Sequence, residues 1–230
     1  MIPPLIVERA LEKSIDLIAI TDHNSSLNYI SVKKAAENTS LAVLPGIELQ
    51  TREEVHVLCL FDTSGQITEF QRIVDNHLPN LRNQPDHFGE QFIVDETGEF
   101  VGREEKLLLS STSITMNEAF NIVEMLGGLF IPAHVNRKAF GLLEILGFVP
   151  TDILIPAVEI SRHITPEQAY QQFPQLKGYP LIQNGDVHRL DEFLGVLTLN
   201  LEEPTIVEIK MALSHTSDRS YTISTPNNTI

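Results

Sequence analysis

Short apolar runs alternate with helical patterns along this chain, and the runs are punctuated by histidine, aspartate or glutamate. Ile15 to Thr21 is followed by Asp22-His23-Asn24, and Leu41 to Leu44 leads into Pro45-Gly46-Ile47-Glu48. Glu54-Val55-His56 opens the run Val55 to Leu60, Leu129 to Ala133 delivers His134, and Leu181 to Asn184 is followed by Gly185-Asp186-Val187-His188. Nearly continuous apolar runs are what strands buried on both faces require. Their alternation with helices argues for a largely parallel sheet wrapped by helices. Metal-ligating residue types after several different strands favour a closed or partly closed barrel, because a barrel gathers its strand ends at one mouth.

The rest of the pattern fits that frame. Two prolines, Pro3 and Pro4, start a helix where a missing N–H costs little. Further helices are predicted over Leu27 to Glu37, Ile67 to Leu78, Thr115 to Leu126, near Ala139 to Leu146, from Thr165-Pro166-Glu167 onward, and from Pro204 to Leu213. Thr115 and Thr165 are capping residues, and Gly127-Gly128 closes the helix before it. Additional strands are expected at Ala157 to Ile160 and Gly195 to Leu199. Residues 79–113 break the rhythm: Phe92-Ile93-Val94 and Glu99-Phe100-Val101 flank Asp95-Glu96-Thr97-Gly98, the pattern of a hairpin. This segment reads as an insertion lying over the barrel mouth. The domain is expected to span 1–214, with 215–230 as a polar, extended and loosely held tail. No Gly-rich loop follows the first strand, so nucleotide binding of the Rossmann or P-loop type is unsupported.

Composition bounds the function. No run of about 18 apolar residues could cross a membrane, and Met1 is not followed by a signal-peptide pattern. The single cysteine, Cys59, excludes an intramolecular disulfide framework and sits in an apolar run, so a reducing cytoplasm is the natural location. A net charge of −15 argues against a broad electrostatic grip on duplex nucleic acid. It leaves room for a small phosphorylated substrate, because bound divalent cations reverse the local sign.

His23, Glu48, His56, His134, Asp186 and His188 are each unremarkable alone. Together, carboxylates and imidazoles at one mouth would be costly to desolvate without cations to offset them. The expectation is a metal centre.

The motifs Thr21-Asp22-His23, Gly46-Ile47-Glu48, Glu54-Val55-His56, Pro132-Ala133-His134 and Gly185-Asp186-Val187-His188, in this order, resemble the PHP family, named for its polymerase-associated and histidinol-phosphatase members. The resemblance runs from Val7 to Leu199. It implies an α/β fold, a distorted (β/α)7 TIM-like barrel with a two- or three-metal phosphoesterase site at its C-terminal mouth. By the same resemblance, Glu48 bridges two metals, His56 and His134 complete one of them, and Asp186 holds its neighbour. His23 and His188 resemble ligands of a third position, and Asp22 resembles a group that orients an imidazole. Family members begin with a strand ending in Asp-x-His-x-His. No His-x-His occurs in this chain, so the first strand is read as missing and fewer metals are expected. The open sheet edge predicts self-association or a distorted barrel seam. Zinc, manganese and iron all suit such ligands.

The function expected on this basis is hydrolysis of a small phosphomonoester or nucleotide-type substrate by a metal-activated water. Arg162, and after it Arg137, are the candidate phosphate clamps. Two other readings stand beside it: a truncated, non-catalytic metal-binding or interaction module, and a metal-dependent amidohydrolase.

Overall fold

The computed structural model describes residues 1–224. α1 (Pro3–Glu12) leads into β1 (Leu17–Ile20), and α2 (Tyr29–Ala35) connects β1 to a parallel neighbour, β2 (Ala42–Gln50). β2 changes partner along its length. Residues 42–45 pair with β1, and residues 46–50 pair with β3 (His56–Leu60). The switch falls at Pro45-Gly46, where proline lacks a ladder donor and a Cβ on Gly46 would lie 2.8 Å from the side chains of Leu60 and Thr21.

β3 runs antiparallel to β2 and to β6 (Leu129–Pro132), which corrects the expectation of a largely parallel sheet. The reason is the connection. Residues 51–55 are far too few for the crossover that parallel neighbours need, so the chain turns straight back. The sheet order is β1-β2-β3-β6. Between β3 and β6 lie α3 (Ser64–His77), α4 (Pro85–Phe88), the hairpin β4 (Phe92–Val94) and β5 (Phe100–Arg103), and α5 (Met116–Met125). α6 (Leu142–Ile145) follows β6, and β7 (Val158–Glu159) pairs in parallel with β8 (Leu181–Ile182) across α7 (Pro166–Gln172). β9 (Leu197–Asn200) precedes α8 (Ile206–Leu213).

Alternation along each strand sends side chains to two cores. On one side Ile47, Leu49, Val57, Cys59 and Phe130 meet Ile67, Phe70 and Val74 of α3 and Ala119 and Val123 of α5. On the other, Leu44, Leu58, Leu60, Leu129, Ile131 and Ile182 meet Ile206, Ile209 and Leu213 of α8, with Leu17, Ala19, Leu197 and Leu199 packed against them. Every residue of β3 is buried, which is why it reads as an unbroken apolar run. The second core gathers side chains from β1, β2, β3, β6, β8 and β9, as a barrel interior does. Among the described residues, however, the ladders form separate sheets and do not close into a ring, and β1 has one ladder partner, β2.

The hairpin lies where it was predicted and packs on α2: Ser31 Oγ donates to the Val94 carbonyl at 2.7 Å, and Asn28 bonds Phe92 and Val94. One further expectation changes. The tail expected to be loosely held instead forms β10 (Ser220–Ile223), antiparallel to β9, with Arg219 Nε donating to Glu208 of α8 at 2.5 Å. Leu197 and Leu199 on β9 and Tyr221 on β10 are half-buried against the second core, a face that a polarity count across the tail conceals. Residues 225–230 of that tail lie outside the described residues.

Candidate metal centre

Glu48 shares a face of β2 with Leu44, so period-two alternation points it inward at the end of the second core. His56 begins β3 opposite Gln50, diagonal to Glu48 on the same face of the hairpin. Because β3 is antiparallel, its first residue lies at the same end of the sheet as the last residues of β6. His134 follows β6 directly, and the Ala133 N–H donates to the His56 carbonyl at 2.9 Å. Beyond β1 the chain stays beside β2: the Glu48 N–H donates to the Asp22 carbonyl, the Asn24 N–H donates to the Glu48 carbonyl, and His23 is thereby set opposite Glu48.

Three imidazoles face one carboxylate. His56 Nδ1 lies 2.9 Å and His134 Nε2 3.2 Å from Glu48 Oε1, and His23 Nδ1 lies 3.4 Å from Oε2. Glu48, His56 and His134 are buried, and His23 is partly exposed. Burial by itself would raise the Glu48 pKa. The hydrogen bonds with His134 and His56 and the charge of His23 outweigh it, and the carboxyl titrates well below the usual range. Burial is the largest influence on His23 and lowers its pKa against the pull of Glu48.

Donor atoms of His23, Glu48 and His56 lie within 4.8 Å of one another, a triad capable of binding one divalent ion. Two imidazoles and a carboxylate suit zinc and its borderline neighbours. Among the described residues, His56 Nε2 and His134 Nδ1 are buried without a hydrogen-bond partner. The residues present therefore fit an ion.

Asp186 and His188 border the same cleft, which His23, Glu48, His56, His134, Arg137 and Phe140 also line. His188 Nδ1 is 3.5 Å from Asp186 Oδ1, and Arg137 Nη1 pairs with Asp186 Oδ2. Arg162 does not line the cleft. Its guanidinium donates to the carbonyls of Gly185, Asp186 and Glu192, clasping the loop that carries Asp186. The Asp22 carboxylate bonds Asn28 Nδ2 at 3.4 Å and, among the described residues, hydrogen-bonds no imidazole. No cleft-lining residue comes from 79–113.

Sequence reasoning passed over three residues. Glu159, in the strand pattern Ala157 to Ile160, accepts the His134 N–H at 3.0 Å. Burial pushes its pKa up to about 7. Its signal was available, a carboxylate inside an apolar run. Phe140 stacks on His56 with centroids 4.4 Å apart and planes 1° apart, and its carbonyl accepts the His56 N–H. Asn24, fully buried, donates to the carbonyls of Leu108 and Ser110 and accepts the Gln50 N–H. Neither has a local signature, because their partners are distant in sequence or contacted through a loop.

These features define an α/β fold with a group of histidine and glutamate side chains able to hold one divalent ion. No family model matches the chain. The uncharacterized protein YqxK of Bacillus subtilis is 25% identical over 94% of this chain and 55% of its own length. Among solved structures, the lesion-specific endonuclease EndoQ of Pyrococcus furiosus superposes with a TM-score of 0.69 at 20% identity, over 95% of this chain and 52% of that one. A second structure, Endonuclease Q with a 27-mer duplex substrate carrying an abasic lesion at the active site, gives 0.65 at 20% identity, over 94% and 52%. The chain thus spans about half the length of these proteins. The complex also overturns the exclusion of duplex nucleic acid: a protein with this fold is captured on a duplex. Net charge summed over this chain was the wrong quantity, since it does not report the local field at a site or what a longer protein adds.

Proposed function

We propose that this chain is a metal-dependent phosphoester hydrolase, and that its substrate is a phosphodiester in a damaged nucleic-acid strand. The observation that carries the reading is the buried, ionised Glu48 ringed by His23, His56 and His134 at the end of a barrel-like core. A bound divalent cation would supply Lewis acidity there, offsetting charge on phosphoryl oxygens and making water nucleophilic near neutral pH. The chain's own residues do the rest. Glu48 stays charged and would anchor the ion, and His23 offers a ring nitrogen. His56 is held in plane by Phe140, and His134 is held by the Glu159 carboxylate. Arg137 presents guanidinium donors at the cleft for a phosphate oxygen. The choice of a nucleic-acid strand is supported by the likeness to Endonuclease Q on its abasic duplex. A small phosphomonoester is the second reading, since the Arg137 guanidinium at the cleft would hold a terminal phosphate as well as a phosphodiester.

The test is an assay of chelator-stripped protein reloaded with zinc, manganese or iron. Substrates are duplexes with and without an abasic site, small phosphomonoesters, and amides. Metal-dependent cleavage of a phosphoester is expected, with Glu48→Gln reducing it by at least about 100-fold, as loss of a charged ligand should. Turnover of amides alone, or phosphoester cleavage undiminished in Glu48→Gln, would sink the proposal. A bound ion with no turnover of any substrate would favour the non-catalytic module.

A further inference from the structure

We infer that Arg137 is a resident cation at Asp186, so that the cleft holds a single divalent ion, at Glu48, rather than a pair. This rests on the reading of Glu48, His56 and His23 as an ion site. Asp186 is already neutralised by protein: Arg137 Nη1 pairs with its Oδ2. The guanidinium is delivered by the same short loop that delivers His134. The Arg137 N–H donates to the His134 carbonyl at 2.9 Å, and the Arg137 carbonyl lies only 2.1 Å from where a Cβ on residue 141 would stand. Glycine at 141 is therefore required for the turn to close. Phe140, next in that loop, is tied to the His56 N–H through its carbonyl.

The other partner is equally fixed. Asp186 has a positive φ of 49° after Gly185 at 105°, and Arg162 clasps the carbonyls of both. Both loops are anchored through their backbones, and the ion pair forms between them, with the Arg137 side chain 43% exposed. Ligand count points the same way. Among the described residues, His23, Glu48 and His56 are the group whose three donor atoms converge. Asp186 and His188 offer two donors, 3.5 Å apart, with a guanidinium on the carboxylate. A divalent ion at Asp186 would have to displace the guanidinium or sit against its charge. The remaining N–H groups of Arg137 stay at the cleft, where one planar fork can hold Asp186 and a substrate oxygen together.

The experiment counts ions. Chelator-stripped whole chain is titrated with Mn²⁺, free ion being followed by electron paramagnetic resonance and bound metal by elemental analysis. Wild type takes one ion per chain. Arg137→Gln takes a second, weaker one, and adding Asp186→Asn removes it. Two ions on the wild type, or one on both wild type and Arg137→Gln, overturns the inference while leaving the proposed activity standing. No ion on the wild type overturns both. Should Arg137→Gln fail to fold, Asp186→Asn alone decides. It leaves the count at one with affinity little changed, whereas a loss of about tenfold or more would make Asp186 an ion ligand and overturn the inference.

Discussion

A carboxylate buried among imidazoles can be stabilised by protons on the rings or by a cation between them, and Glu48 is placed for either. Glu159 is the opposite case, a buried carboxylate whose one side-chain hydrogen bond among the described residues is to the His134 backbone N–H. Its folded pKa of about 7 exceeds the ordinary value of 4.5, so the folded state binds the proton more tightly than the unfolded chain. Stability from this group is therefore fully present below pH 4.5 and falls as pH rises towards 7. Glu159→Gln keeps an acceptor for the N–H and removes the titration. In chelator-stripped protein it should flatten the pH dependence of urea unfolding between pH 5 and 8 and stabilise the chain at pH 8 by on the order of 3 kcal/mol. Identical pH slopes in the two proteins would count against this account. Glu159 was hidden in plain view, since a strand-end carboxylate followed the same rule as the residues that were recognised. Phe140 carried no such rule.

At the scale of elements, local chemistry was easiest to read. Thr115 and Thr165 each accept the N–H of the third helical residue, with Glu118 and Gln168 reaching back, so these two helix starts were read from three-residue spacing; the same box at Thr63 and Gln66 starts α3 at Ser64, ahead of the expected Ile67. Strand direction was not legible, because an apolar run has no polarity until its connection is measured. One side chain from the ligand-bearing loop helps to hold the insertion: Asn24 links segment 108–110 to β2 through three hydrogen bonds. Asn24→Ala should cost on the order of 3 kcal/mol, about 1 kcal/mol per bond. It should also make residues 79–113 the first site of limited proteolysis under native conditions. Cleavage beginning elsewhere, with urea stability unchanged, would show that the segment is held by other contacts.

For the whole molecule, the centre links β1, β2, β3 and β6, so an ion there binds the folded chain and not the unfolded one. At free ion about 100 times its dissociation constant the fold gains about 2.7 kcal/mol. Chelation should then lower the thermal midpoint by roughly 5–10 °C for a domain of this size, and Glu48→Gln should show no shift on chelation. An equal midpoint with and without chelator in the wild type would mean that the four strands gain nothing from an ion. The residue types of the centre, the helix starts and the buried character of β3 were set by the sequence itself, because caps, periodicity and strand-end composition act over a few neighbouring residues. The tertiary structure alone decided the rest. It turned β3 back on β2 so that a residue opening one strand meets a residue closing another. It paired β10 with β9 and set Arg137 against Asp186, 49 residues away in the chain. Contacts of that range depend on loop lengths and on the packing of two cores at once, and no local pattern records them.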